Sequence, residues 1–334
     1  MTDSNPAAIG SDTPDQVAID HAAWDGLVLC ATCGVEQEGA LAAAGPAALT
    51  DARDDARSDV LPAVCAICAD DRQWVPADGQ RWTTVGELRA SGTNTDVTEL
   101  EPNLWAVRVS GGVGIGQHAK VLVTEAGNLM VDVPAYIDRA AVDAVLGLGG
   151  LAGIIASHPH MYGAQSAWAE ACGGVGGPVP VYVSEADAGW LARRPANTVV
   201  WSGSLTPLAG PAEPTRPAGL PGSPVVTASQ PGGHFPGSVV VHFTGQDGAG
   251  VLLAGDTVGV ARDRKGATFM RSFPNYLPLS GAVAQRIAGH LDRYDYERLY
   301  DNFSGVIASD AAAVVHRSAR RHADWAEGRM DHLT

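Results

Sequence analysis

The sequence predicts a mixed α/β (α+β) protein in which helices cover sheets, and two observations carry that prediction. From residue 120 onward, short apolar runs alternate with segments of helical period. Two of the runs, in "KVLVTEAGNLMVDV" (120–133), flank Ala126-Gly127-Asn128 and read as a hairpin. Hairpins beside strand–helix alternation point away from a purely parallel sheet.

Each element has its own signal. "IDRAAVDAVLGLGG" reads as a helix capped by Asp138 and stopped by Gly149 and Gly150. "LAGIIAS" (151–157) is a buried strand, "GAQSAWAEACGG" a helix, "VPVYVS" a strand and "EADAGWLARR" a helix. Residues 202–224 are a Pro/Gly-rich loop. "GSVVVHFTG" and "GAGVLLAGDT" read as neighbouring strands, and residues 280–294 and 309–328 as helices. Three parts follow: a leader (1–20), a cysteine-bearing segment (21–75) and a main domain (76–334). The leader is polar, acidic and Pro-containing and lacks the basic and apolar regions of a signal peptide. It reads as the flexible start of a cytoplasmic protein.

Hydrophobic residues at 46% and charged residues at 18% give a globular composition able to fill a core. The net charge of −15 opposes nucleic acid and anionic membranes, and the apolar runs are too short to span a bilayer. A small-molecule substrate is the expected partner. Acidity disfavours strongly anionic substrates, although local potential can differ from net charge. Oligomeric state is not encoded in any of these patterns.

Four of the five cysteines form two Cys-x-x-Cys pairs, Cys30/Cys33 and Cys65/Cys68. Without a secretion signal, metal or redox chemistry competes with disulfides. Two pairs in one segment favour a closed tetrahedral set for structural zinc in a ribbon-like fold, with Gly34 relieving the first turn. The linking stretch is rich in Ala, Gly and Asp and reads as a tolerant insertion. Arg72 and Trp74 follow at once and can dock this segment on the main domain.

In "SHPH", His158 and His160 share a side if the backbone is extended, and Pro159 biases His158 toward that geometry. They are either two metal ligands at a strand end or two surface histidines. "QPGGHFPGS" places His234 in a glycine-rich loop, and "VLLAGDT" places Asp256 at the end of an apolar run. Three histidines and a carboxylate suit zinc. Asp256 can alternatively cap the turn that follows it.

The order HxH, GGHxPGS, LLxGDT resembles the metallo-β-lactamase fold superfamily over roughly residues 100–310. The resemblance implies a four-layer αββα sandwich with a metal site at one edge of two packed sheets. "LMVDVP" is similar to the superfamily's early acidic strand, where Asp132 would support the metal loop. The cysteine pairs with "DDRQWVP" and "GQRWTT" look like a subgroup that joins a cysteine ribbon to this fold and carries a "SHPHYY"-like motif.

Departures from the family pattern are specific. The superfamily motif HxHxDH has Tyr162 and Gly163 at its Asp and second His, which removes two ligands of a second ion. The late histidine is replaced in "RLYDNFSG", where Asp301 or Asn302 can take part of its place. A mononuclear histidine site is therefore expected, with zinc or another divalent metal, beside a structural zinc at the cysteines. Loss of the cysteine-held metal is expected to leave the histidine site loaded. Tyr162 either reaches water and substrate as a catalytic hydroxyl or fills vacated volume, and Asp256 is a ligand or a nearby base. His242 and His316 are read as structural or solvated. The function implied is metal-dependent hydrolysis of an ester, thioester, amide or lactone; the alternative is a non-catalytic scaffold or interaction protein that kept the fold.

Overall fold

The computed structural model describes residues 22–38, 61–174, 176–208 and 226–334. The leader, most of the stretch linking the cysteine pairs and residues 209–225 of the Pro/Gly-rich segment lie outside the described residues.

Two large sheets stack face to face. One has seven strands in chain order: β3 (Asn94–Glu101), β4 (Leu104–Ser110), β5 (His118–Leu122), β6 (Leu129–Val131), β7 (Gly153–Ile155), β8 (Val181–Ser184) and β9 (Thr198–Trp201). It is antiparallel from β3 to β6 and parallel from β6 to β9. The other has six: β10 (Ser204–Leu205), β11 (Thr227–Ser229), β12 (Val240–Thr244), β13 (Gly250–Gly255), β18 (Arg298–Asp301) and β19 (Val306–Ile307), of which β13 and β18 run parallel. In the chain between β13 and β18 come two small ribbons, β14 (Gly259–Val260) with β15 (Ala267–Thr268) and β16 (Met270–Ser272) with β17 (Leu277–Pro278).

Side-chain alternation sorts the core into layers. Leu122, Leu129 and Ile155 meet Val241, Phe243, Val251 and Leu253 between the sheets. Their neighbours Val121, Met130 and Ile154 point outward against helices Arg139–Gly147 and Gln165–Ala171. On the far side Val240, Leu252 and Ala254 pack on helices Gly281–Leu291 and Ala311–Ala326. The result is a four-layer αββα sandwich. Asp138 caps its helix as the sequence indicates, accepting from the Ala141 N–H at 2.8 Å.

Three elements differ from expectation. The long hairpin β3–β4 had no sequence signal, because β3 is a polar edge strand with no buried residue. "EADAGWLARR" forms only a 3-10 helix, Glu185–Trp190, rather than an α-helix, with Gly189 inside it. Ser204–Leu205, read as loop, adds a short edge strand. Among the described residues no helix is long and apolar enough to cross a membrane.

The cysteine segment is part of the main core. Cys30, Cys33, Cys65 and Cys68 are buried in one apolar cluster with Val121, Met130 and Ala135. β1 (Val28–Cys30) pairs with β2 (Trp82–Thr84), so its ladder runs past residue 75. Gly34 sits at φ +75°, and a Cβ there would come within 2.2 Å of the Ala135 Cβ, so both conformation and close approach require glycine.

Candidate functional site

The two large sheets bring four side chains together at one edge. β7 ends at Ile155, and the chain continues through Ser157 to His158, whose backbone is extended (φ −170°) as Pro159 dictates. His160 then lies in a 3-10 turn, Pro159–Met161. The two imidazoles converge through this turn and not through strand alternation, which corrects the geometry expected from the sequence. The proline suits the first position of a helical turn because its fixed φ is already helical there. His234 comes from the loop before β12, and Asp256 follows β13.

His160 Nδ1 lies 3.3 Å from His234 Nε2. Asp256 Oδ2 lies 3.4 Å from His158 Nε2 and 3.7 Å from His234 Nε2. One ligand atom from each residue falls within 4.8 Å of every other. Metal–ligand bonds of about 2.0–2.1 Å in a tetrahedron place neighbouring ligand atoms ~3.3 Å apart, close to these spacings. His158 Nε2 and His160 Nε2 are buried with no hydrogen-bond partner, a cost relieved when an imidazole nitrogen coordinates a cation. Burial pushes the His158 and His234 imidazolium forms down to about 4 and His160 well below its ordinary value. All three rings are therefore neutral at pH 7, as ligands must be. The residues present fit a single divalent ion.

Polar contacts behind the cluster fix its geometry. His158 Nδ1 pairs with Ser157 Oγ at 2.9 Å, and His234 Nδ1 donates to the Met270 carbonyl at 3.0 Å. Asp132 holds the turn from below: its Oδ1 accepts from the Ser157 N–H at 2.7 Å, and its backbone adopts the left-handed region at φ +63°. Phe235 stacks on His158 with ring centroids 5.6 Å apart and meets His160 edge-on at 4.9 Å. Burial raises the Asp256 carboxyl to about 6, with His234 acting against the shift.

The catalytic role expected of Tyr162 does not fit its position. Its hydroxyl is buried and donates to the Asp187 carbonyl at 2.9 Å, so it fills volume and ties two turns together. Gly163 has φ +49°, and a Cβ would come within 2.6 Å of the Val133 and Pro134 carbonyl oxygens. Asp301 is also structural, accepting from the Phe303, Gly305 and Val260 N–H groups. Asn302 lies against Asp256. His242 bonds to the Asp295 carbonyl and His316 to Asp292 on the surface, neither near the cluster.

Sequence reasoning missed Lys120. It is buried between the sheets, donating to the carbonyls of His118 at 2.9 Å and Asp301 at 2.5 Å, with Asp132 and Asp256 close enough to favour its charge. The available signal was its phase: position 120 alternates with the inward-facing Leu122.

The four cysteines form a second cluster, with Cys30 Sγ 3.5 Å from Cys68 Sγ and Cys33 Sγ 3.7 Å from Cys65 Sγ. Zinc–sulfur bonds of about 2.3 Å give a tetrahedral edge of ~3.8 Å, so the donor set fits a closed metal site. The segment after Cys68 reaches the histidines directly. Arg72 Nε donates to the His234 carbonyl at 2.9 Å, and its guanidinium lies 4.2 Å from the Phe235 ring centre. Arg72 thus docks as expected, whereas Trp74 is 55% exposed. A cavity of about 600 Å³ opens over the cluster, with His160, His234 and Asp256 at its floor and the cysteine segment as one wall.

No protein-family profile matches the chain. It is 32% identical over 296 residues to the uncharacterized protein YmaE of Bacillus subtilis (strain 168), across 88% of this chain and 94% of that one. Among solved structures, DIM-1 metallo-beta-lactamase superposes with a TM-score of 0.50 at 18% identity, covering 70% of this chain and 98% of that chain. FIM-1 metallo-beta-lactamase from Pseudomonas aeruginosa in its mono-zinc form gives 0.48 at 12% identity, covering 69% and 96%. With its αββα layers the chain has the metallo-β-lactamase fold, and it belongs to one family with YmaE.

Proposed function

We propose that the protein is a mononuclear metal-dependent hydrolase acting on an ester, thioester, amide or lactone carbonyl, with zinc or another divalent metal at the histidines and a structural zinc at the cysteines. One observation carries the reading: His160, His234 and Asp256 of the four-residue cluster form the floor of a cavity large enough for a small molecule. A cation bound there supplies Lewis acidity, acidifying water and drawing charge from a carbonyl oxygen. The three neutral imidazoles hold that position, and the Ser157 and Met270 contacts keep the His158 and His234 rings aimed at it. Asp256, whose Oδ2 lies 3.4 Å from His158 Nε2 and 3.7 Å from His234 Nε2, is the carboxylate placed to accept a proton at an oxygen and return it to the leaving group. Phe235 and Phe273 limit solvent around His234.

A non-catalytic scaffold needs no cavity over the cluster, so the cavity favours the enzyme. The test is a screen of esters, thioesters, lactones and lactams with metal analysis alongside. His234→Ala is expected to lose metal at this site and all turnover while circular dichroism stays unchanged. Asp256→Asn is expected to lower turnover far more than metal occupancy. A protein that binds metal yet turns over no carbonyl substrate would be a scaffold.

A further inference from the structure

We propose that the cysteine segment forms the recognition wall of the cavity, and that Arg72 and Arg81 receive a carboxylate carried by the substrate. This inference rests on the hydrolytic reading of the histidine cluster, and it names the substrate class of that site.

Arg72 is a preorganised cation. Its Nε is committed to the His234 carbonyl and its Nη1 to Asp70 Oδ2 at 2.7 Å, and the guanidinium is held over Phe235. Nη2 has no hydrogen-bond partner among the described residues, and the residue lines the cavity together with His160 and Asp256. A guanidinium already fixed on two of its nitrogens loses little side-chain entropy when a ligand takes the third.

Arg81 is its counterpart at the rim. Its carbonyl accepts from the Ala31 N–H at 2.9 Å, which pins its backbone beside the first Cys-x-x-Cys turn. Its side chain is exposed, lines the same cavity and has no ion pair among the described residues. Of the two arginines only Arg72 is ion-paired, to Asp70, so these three groups together carry a single positive charge. That charge matches a monoanion such as a carboxylate and under-neutralises a phosphate dianion.

The rest of the wall suits the body of such a molecule. Trp74, Phe273 and Phe303 line the cavity, and Trp74 is 55% exposed. A chain with net charge −15 repels anions at long range, so a local cationic wall has to be built where an anion is to be bound. All three recognition features, Arg72, Trp74 and Arg81, come from the cysteine segment and its immediate continuation and not from the αββα layers.

The test is calorimetric titration of the native, metal-loaded protein with benzoate and with benzamide, which share a ring and differ in charge. Benzoate is expected to bind at least about tenfold more tightly, the size of one hydrogen bond to a charged group. Arg81→Ala, a surface change, should narrow the gap, and Arg72→Gln, measured with metal held saturating, should narrow it further. In parallel, Arg81→Ala should show a raised KM toward the para-nitrophenyl monoester of succinate and an unaltered KM toward para-nitrophenyl butyrate. Equal affinities, binding of neither compound, or a benzoate preference that survives both substitutions would overturn the proposal; the last would place the carboxylate on the metal. If Arg72→Gln does not fold, Arg81→Ala decides alone. Turnover of neutral esters without benzoate preference sinks this inference and leaves the hydrolase standing. An arginine-dependent benzoate preference with no turnover of any ester, thioester or lactone does the reverse.

Discussion

Gly163 stands where a second-site ligand would have to be added. Its left-handed backbone and its contact with the Val133 and Pro134 carbonyls leave no room for a side chain. Gly163→His, which would supply a missing second-site ligand, is therefore expected to cost at least about 2 kcal/mol of stability and to add no second ion. Anomalous scattering showing paired peaks in that variant would refute this. Asp187 carries a pH dependence. Its side chain is fully buried, accepts from the Gly237 N–H at 3.1 Å, and is raised by burial to about 6 from the ordinary 3.8. A raised carboxyl stabilises the fold below the unfolded pKa, and that contribution is lost as pH rises through the folded one. Stability should thus fall between about pH 4 and pH 6 on account of this residue. Asp187→Asn, which keeps the acceptor, should remove that slope and raise stability at pH 7.5 by the order of 1–3 kcal/mol; equal denaturant midpoints at pH 7.5 would contradict it. At this scale the clustering of His158, His160, His234 and Asp256 was legible because each belongs to a short motif at the edge of an apolar run. Tyr162 and Lys120 were not, because their roles depend on which carbonyl the folded chain presents to them.

Among the elements, the stretch from Cys68 to Trp74 links both clusters. Arg72 grips the His234 carbonyl, and Ser272 Oγ donates to the Arg72 carbonyl at 2.9 Å. These contacts join the two clusters, so the expectation that one stays loaded when the other is emptied is tested at Arg72. Cys68→Ser should lose the cysteine-held metal and also weaken the histidine site by up to about tenfold, the lower range for disturbed outer contacts. Competition against a fluorescent chelator reads both affinities, and an unaltered histidine site would show that Arg72 holds its place without the cysteines. Helix Arg139–Gly147 and the β5–β6 hairpin were legible because Asp138 and Ala126-Gly127-Asn128 are local signals. The β3–β4 hairpin was not, since an edge strand of "NTDVTELE" is specified by its partner strand and not by its own apolar pattern.

For the whole molecule, the histidine cluster acts as a clasp between sheets. His158 and His160 extend from the seven-stranded sheet, His234 and Asp256 from the six-stranded one. A cation bound to the folded form alone adds stability that grows with free metal, about 2.7 kcal/mol at a hundred times Kd. Removing metal with a chelator should lower the thermal midpoint by several degrees, and adding zinc back should restore it in proportion to the logarithm of its concentration. A midpoint indifferent to chelator would mean that the sheets hold without the clasp. The αββα architecture was legible through the resemblance that three short motifs in order bear to the metallo-β-lactamase fold superfamily, while the apolar periodicity by itself gave only sheets covered by helices.

The Arg72–His234 contact also has a consequence in time. The two residues are 162 positions apart, whereas Cys30 and Cys68 are separated by 38. At a synthesis rate of roughly 5–20 residues per second, Arg72 leaves the ribosome about 8 to 30 s before His234 does. During that interval the cysteines can already close on an ion, while the guanidinium has nothing to grip. The nascent N-terminal segment is then a finished half of a binding wall waiting for its floor, and chaperone protection of Trp74 and the buried face around Val35 matters most in those seconds.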